Sequence, residues 1–157
     1  MPDPEISLAE LAAEEEELRF DSFTHDDAWA LGSALVAAAR AARAPVAIDI
    51  SRHGQQLFHA GLPGSAPDND RWIERKTRVV DRSGHSTLFV RQLCLDDGVP
   101  FEAKFLLDPR RYAAHGGGFP IVVRSAGPVG AVVVSGLPQV EDHRMVVADL
   151  RAHLAGG

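Results

Sequence analysis

Cysteine is almost missing from this chain, and basic residues are outnumbered. Cys94 is the only thiol among 157 residues, so no internal disulfide can form and one chain cannot build a Cys-rich zinc site. A lone cysteine in a core-like segment reads as a buried, inert thiol. Lys and Arg number 16 against 22 Asp and Glu, a formal charge of -6. Nucleic-acid binding is driven largely by basic residues that displace counterions, so an acidic chain is a poor candidate for it. No run approaches the ~20 apolar residues of a membrane span. The opening MPDPEISLAE has neither the basic n-region nor the apolar h-region of a secretory signal. These absences point to the cytoplasm, with neither nucleic acid nor membrane as partner.

Several chemical motifs are also missing. No two histidines show the His-Glu-x-x-His spacing of a zinc protease. No Gly-x-Ser-x-Gly nucleophile elbow occurs. His115-Gly116-Gly117-Gly118 resembles the oxyanion string of some esterases, but the nucleophile it would serve is absent. A phosphate loop needs a strand-to-helix junction and a following lysine; here the glycines lie between a predicted helix and a strand, with no lysine after them. Asp68-Asn69-Asp70 lacks the rest of a calcium loop and reads as helix capping.

What is present suits one α/β (α+β) domain over residues 1–157, since 45% of the chain is hydrophobic. Residues 6–19 read as a helix with Ile6, Leu8, Leu11 and Leu18 inward and Glu14 to Glu17 as a solvated face. Thr24 and Asp27 have capping-box spacing, opening an alanine-rich helix with Leu31, Leu35 and Ala38 or Ala39 inward. Its alanines allow close packing, including against a second subunit. Pro45 ends that pattern. Residues 46–50 read as a buried strand, 51–54 as a turn and 55–60 as its hairpin partner. Residues 61–69 read as a loop, and 70–80 as a helix capped by Asp68 or Asn69. Trp72, Lys76 and Val79 or Val80 share its inner side.

Residues 85–97 fit no period cleanly and are read as a helical continuation past Gly84. Asp108-Pro109 is a helix start for a short helix ending at the glycines. Strands follow at 119–124 and 129–134, then a Ser135-Gly136-Leu137-Pro138 corner and a closing helix over 140–154. The absence of alternating strand–helix units argues against a parallel Rossmann sheet. The expectation is a single-layer antiparallel sheet of about five strands, flanked by helices on both sides.

The glycine run has two compatible readings. Gly116 can end a helix in the left-handed conformation, Gly117 and Gly118 can make an unusual turn, and Pro120 can open an edge strand. Alternatively, bare N–H groups of Gly117 and Gly118 bind an anion. Ser135 and Gly136 start a helix whose free N–H groups could assist, although Glu141 and Asp142 in its first turn would repel an anion. Arg75 and Lys76 are adjacent on a helix, so only one can aim at a given pocket and pair with a ligand carboxylate; the plainer reading is two solvated cations. Of seven histidines, His59 and His115 are the first candidates for ligand contact, against a structural role for each.

The stretches LAAEEEELRFDSF (11–23), VAIDISRHGQQLFHAGLPGSAPDNDRWIERK (46–76), YAAHGGGFPI (112–121) and VGAVVVSGLPQVEDH (129–143) resemble the HbpS/GlcG-like family, often described as heme-degrading. The resemblance implies a compact α/β domain, homo-oligomerisation and tetrapyrrole binding. Some wider members bind heme, and a related domain is fused to a cobalamin adenosyltransferase. Heme is the cofactor it suggests, with His115 and His59 as candidate ligands.

Three function classes follow. One is a homo-oligomeric binding domain for heme or another carboxylated ligand, with weak degradative activity as an option. The others are a non-enzymatic scaffold or adaptor, and an enzyme on a small carboxylated metabolite with His115 or His59 as acid or base. The candidate ligand-binding set is His59, Arg75, Lys76, His115, Gly116, Gly117, Gly118, Ser135 and Gly136. No metal site and no catalytic residue is assigned.

Overall fold

The computed structural model describes residues 6–156. Ten elements follow in order: α1 Leu8–Glu17, α2 His25–Ala41, β1 Ala47–Arg52, β2 Gln55–Gly61, α3 Pro67–Ser83, α4 Thr87–Asp97, α5 Phe101–Phe105, β3 Gly118–Val123, β4 Gly127–Ser135 and α6 Gln139–Gly156. The sheet has four strands in the order β2-β1-β4-β3, one fewer than expected, and every pairing is antiparallel. Among the described residues before α2, Phe20 adds an isolated bridge to Val123 at the β3 edge.

Alternation along the strands explains the layers. Ile48, Ile50, Val132, Val134, Phe119 and Ile121 face one side, where they pack with Leu31 and Leu35 of α2 and Val146 and Leu150 of α6. Ala47, Ala131 and Val133 face the other, against Ile73 and Val80 of α3. On that second face Asp49 and Ser51 of β1 line an open cleft instead. The β1–β2 turn uses His53 and Gly54, both at positive φ, as a two-residue hairpin needs.

Helix starts are chemically marked. Thr24 and Asp27 form the expected capping box, and Ala39 rather than Ala38 turns inward. Ser7 caps α1. Helix α3 begins at Pro67, earlier than expected, and Asn69 reaches back to accept from the Ala66 N–H instead of sitting at the cap itself.

Three expectations are corrected. Helix α3 ends at Gly84 in the left-handed conformation, and α4 is a new helix capped by Ser86, not a continuation. Residues 109–111 form only a turn, so Asp108-Pro109 starts no helix and Gly116 caps none; a short helix, α5, lies just upstream instead. Glu14 and Glu15 are not solvated. Glu14 meets buried His143 at 2.7 Å, and Glu15 accepts from His85 and from the Ser86 N–H. Burial pushes the Glu15 carboxyl upward, opposed by His85.

Candidate functional site

The three glycines mark a crossing point of four elements. The Gly116 N–H donates to the Gln139 side chain at the start of α6, and a Cβ at Gly116 would strike the Gln139 carbonyl. Gly117 has φ 131, and its Cβ would strike the Val134 carbonyl of β4 and lie 2.7 Å from Lys76 Nζ. Gly118 donates to Thr87 Oγ1 of α4 at 3.0 Å. Close approach therefore accounts for the run. The reading of Gly117 and Gly118 as two bare anion donors fails at Gly118, whose N–H is already taken.

The second corner converges on the first. A pocket of about 280 Å³ joins Ser135 and Gly136 to His115, Lys76, Trp72 and Asp142. The N–H groups of the turn that leads into α6 are occupied from within. Asp142 Oδ1 accepts from the Leu137 N–H at 2.9 Å, and Oδ2 accepts from Gly136 at 3.3 Å and from Lys76 Nζ at 3.2 Å. Lys76 also donates to the Val134 carbonyl. Lys76 is thus neither solvated nor available to a ligand carboxylate without displacing Asp142. Burial pushes its ammonium down, with Asp142 opposing, and burial pushes the Asp142 carboxyl up, with Lys76 opposing.

Arg75 points the other way, into a larger cleft of about 440 Å³ beneath α4 and α5. Leu95, Val99, Phe101, Pro109 and Tyr112 give it apolar walls, and Arg75 and Arg91 give it two guanidiniums. Arg75 lies 4.6 Å from the Trp72 ring centroid and donates to the Pro109 carbonyl, while its Nε is buried without a hydrogen-bond partner. His115 borders both this cleft and the small pocket, with its ring edge-on to Trp72 at 5.2 Å.

His59 does not join them. It lines a third cleft over the uncovered part of the sheet, with Nδ1 at 3.0 Å from Asp49 and Nε2 at 3.3 Å from Asp70. The pairing of His59 with His115 around one ligand is therefore corrected. Arg91, Tyr112, Trp72 and Asp142 are the residues that sequence reasoning missed. Only Asp142 left a signal: a lysine on the inner side of α3 demands a buried acid.

Comparison with known proteins now decides the family. The model of the family described as "Haem degrading protein HbpS-like" matches residues 23–151. This chain belongs to the HbpS-like family. Helix α1 lies outside the matched HbpS-like segment. A UPF0303 protein of Streptomyces coelicolor is 61% identical, covering 92% of this chain and 91% of its own. Another, from Edwardsiella ictaluri, is 43% identical over 97% of this chain and 96% of its own. The crystal structure of Ybr137w protein superposes with a TM-score of 0.88 at 38% identity, covering 98% of this chain and 90% of that one. HbpS itself (TM-score 0.66, 20% identity, 84% and 89% covered) and a PduOC:heme complex (0.69, 18%, 83% and 94%) share the fold. No helix among the described residues is long and apolar enough to cross a membrane.

Proposed function

We propose that this chain binds an amphipathic, carboxylated ligand of the tetrapyrrole class in the 440 Å³ cleft beneath α4 and α5. The cleft's composition carries this reading. It combines apolar walls with two guanidiniums against one carboxylate, Glu102, a balance that suits a flat apolar ring bearing carboxylates, and its size falls in the usual range for small-molecule sites. Heme fits this donor set. Arg75 and Arg91 would take propionates, Leu95, Val99 and Phe101 would cover the ring, and His115 would be the base offered to the iron. Bound heme would supply redox chemistry at that iron. The chain's own part is to bind, orient and shield the ring. Family membership and the heme-bound neighbour of the same fold support the choice of ligand class.

The exposed side of α2 supports self-association. Trp29, Ala30, Ala34, Ala37 and Ala38 form an apolar stripe facing solvent, and Trp29 is 66% exposed. We place the assembly in the cytoplasm, in keeping with a single buried thiol.

Hemin titration followed by Soret absorbance tests the ligand. Saturable binding should weaken about tenfold or more in Arg75→Ala and His115→Ala, as loss of a charge-assisted contact implies. His59→Ala, in a separate cleft, should bind as the parent does. Nonsaturating binding, or equal effects at all three positions, would remove the proposal.

A further inference from the structure

Lysine is scarce here: only Lys76 and Lys104 occur among the 16 Lys and Arg residues. Lys104 is a partly exposed partner of Asp97. Lys76 is 3% exposed, yet it forms the floor of the small pocket between the two glycine corners. An arginine would meet the Val134 carbonyl and Asp142 with a fork that stays charged; a lysine brings a compact amine that can give up its proton. Gly117 keeps the space around that amine clear, because any side chain there would close on Nζ. Burial disfavours charge on both Lys76 and Asp142, and their 3.2 Å contact gives a proton a direct path between them.

We propose that Lys76 is a nucleophilic amine that captures a small neutral hydroxy-aldehyde as an imine in this pocket. The geometry sets the class of ligand. A volume of about 280 Å³, just below the usual range for drug-sized ligands, suits a small molecule beside the amine. Asp142, 3.2 Å from Nζ, disfavours a carboxylate or phosphate next to the reacting carbon. The Ser135 hydroxyl and the Asn69 amide NH2 in the walls offer hydrogen bonds to hydroxyls.

The step balances without an oxidant or reductant. The Lys76 ammonium first gives a proton to the Asp142 carboxylate 3.2 Å away; the freed Nζ lone pair then attacks the carbonyl carbon, and the C=O π electrons move to oxygen. That oxygen takes the proton that Nζ loses, giving a carbinolamine. Asp142, protonated, passes a proton to the hydroxyl, water leaves, and the remaining N–H proton returns to Asp142 as C=N forms. Aldehyde and amine give imine and water. The inference concerns the pocket and not the neighbouring cleft, so it stands or falls apart from tetrapyrrole binding.

The test uses the full chain with glycolaldehyde and cyanoborohydride at neutral pH, read by intact mass and peptide mapping. A single hydroxyethyl group should appear on Lys76, roughly tenfold faster than on Lys104, as a more readily deprotonated amine requires. Pyruvate, an anion of similar size, should leave Lys76 unlabelled. Asp142→Asn should slow trapping and alter its pH profile while Lys76 remains present. Lys76→Arg should lose the adduct, with its thermal unfolding midpoint reporting on the fold. Native protein that is labelled on Lys104 but not on Lys76 overturns the proposal. Equal trapping of pyruvate and glycolaldehyde on Lys76 also overturns it.

Discussion

At the scale of single residues, burial and backbone angle separate positions that look alike in the sequence. Gly98 and Gly117 both sit at positive φ, but a Cβ at Gly98 meets nothing while one at Gly117 meets backbone. Gly98→Ala should cost about 1 kcal/mol from the strained conformation alone. Gly117→Ala should cost several times that, ~3 kcal/mol or more, because β4 cannot give way. Denaturant unfolding of both variants checks the contrast. Asp149 is 8% exposed, its Oδ2 has no hydrogen-bond partner, and burial pushes its carboxyl up to about 7. The folded state then holds a proton that the unfolded state has released between about pH 4 and 7. Over that window stability falls as pH rises, and above it the penalty is constant, at most about 4 kcal/mol. Asp149→Asn should flatten this slope and raise the pH 8 unfolding midpoint, whereas an unchanged slope would assign it to other groups.

At the scale of elements, legibility followed local chemistry. The capping box of α2, the β1–β2 hairpin and the β3–β4 hairpin were readable because turn residues and alternation are local signals. The break at Gly84 was not, since a left-handed glycine between two helices looks like a glycine inside one until Ser86 is seen capping Phe89. The role of Asp108-Pro109 is equally hidden from the local sequence. Segment 106–117 is held open over α3 by tertiary bonds, Arg75 and Arg78 to the Pro109 and Arg111 carbonyls and Ala113 to the Arg75 carbonyl. No local pattern encodes them. Helix α1 shows how such elements are held. Its apolar anchor is a small cluster, Ile6, Leu11, Leu88 and Val140, supplemented by Glu14–His143 and Glu15–His85. Leu11→Ala should cost ~3 kcal/mol locally. It should speed hydrogen exchange in α1 while α2 and α6 keep their protection. Uniform acceleration throughout would mean that α1 is part of the main cooperative unit.

At the scale of the whole molecule, the candidate site was only half visible. His115, Ser135, Gly136 and Lys76 do converge, as two glycine corners meeting would require. Arg91 and Tyr112 could not be foreseen, because their meeting depends on the path of an irregular segment. The assembly is a property of this scale too. If α2 packs on a second copy, sedimentation should give a multiple of 16.9 kDa, and Trp29→Glu should shift it toward the single chain. A monomer at micromolar concentration would exclude that surface.

Strand β1 divides the molecule. Ile48 and Ile50 on one side are sealed in the core, while Asp49 on the other meets Gln56 and His59 of β2 at the wall of an open cleft. A lineage carrying this domain can therefore rewrite the outward positions of the β1–β2 hairpin while leaving its inward ones alone. New chemistry can be tried on one side of a strand whose other side keeps the inheritance intact.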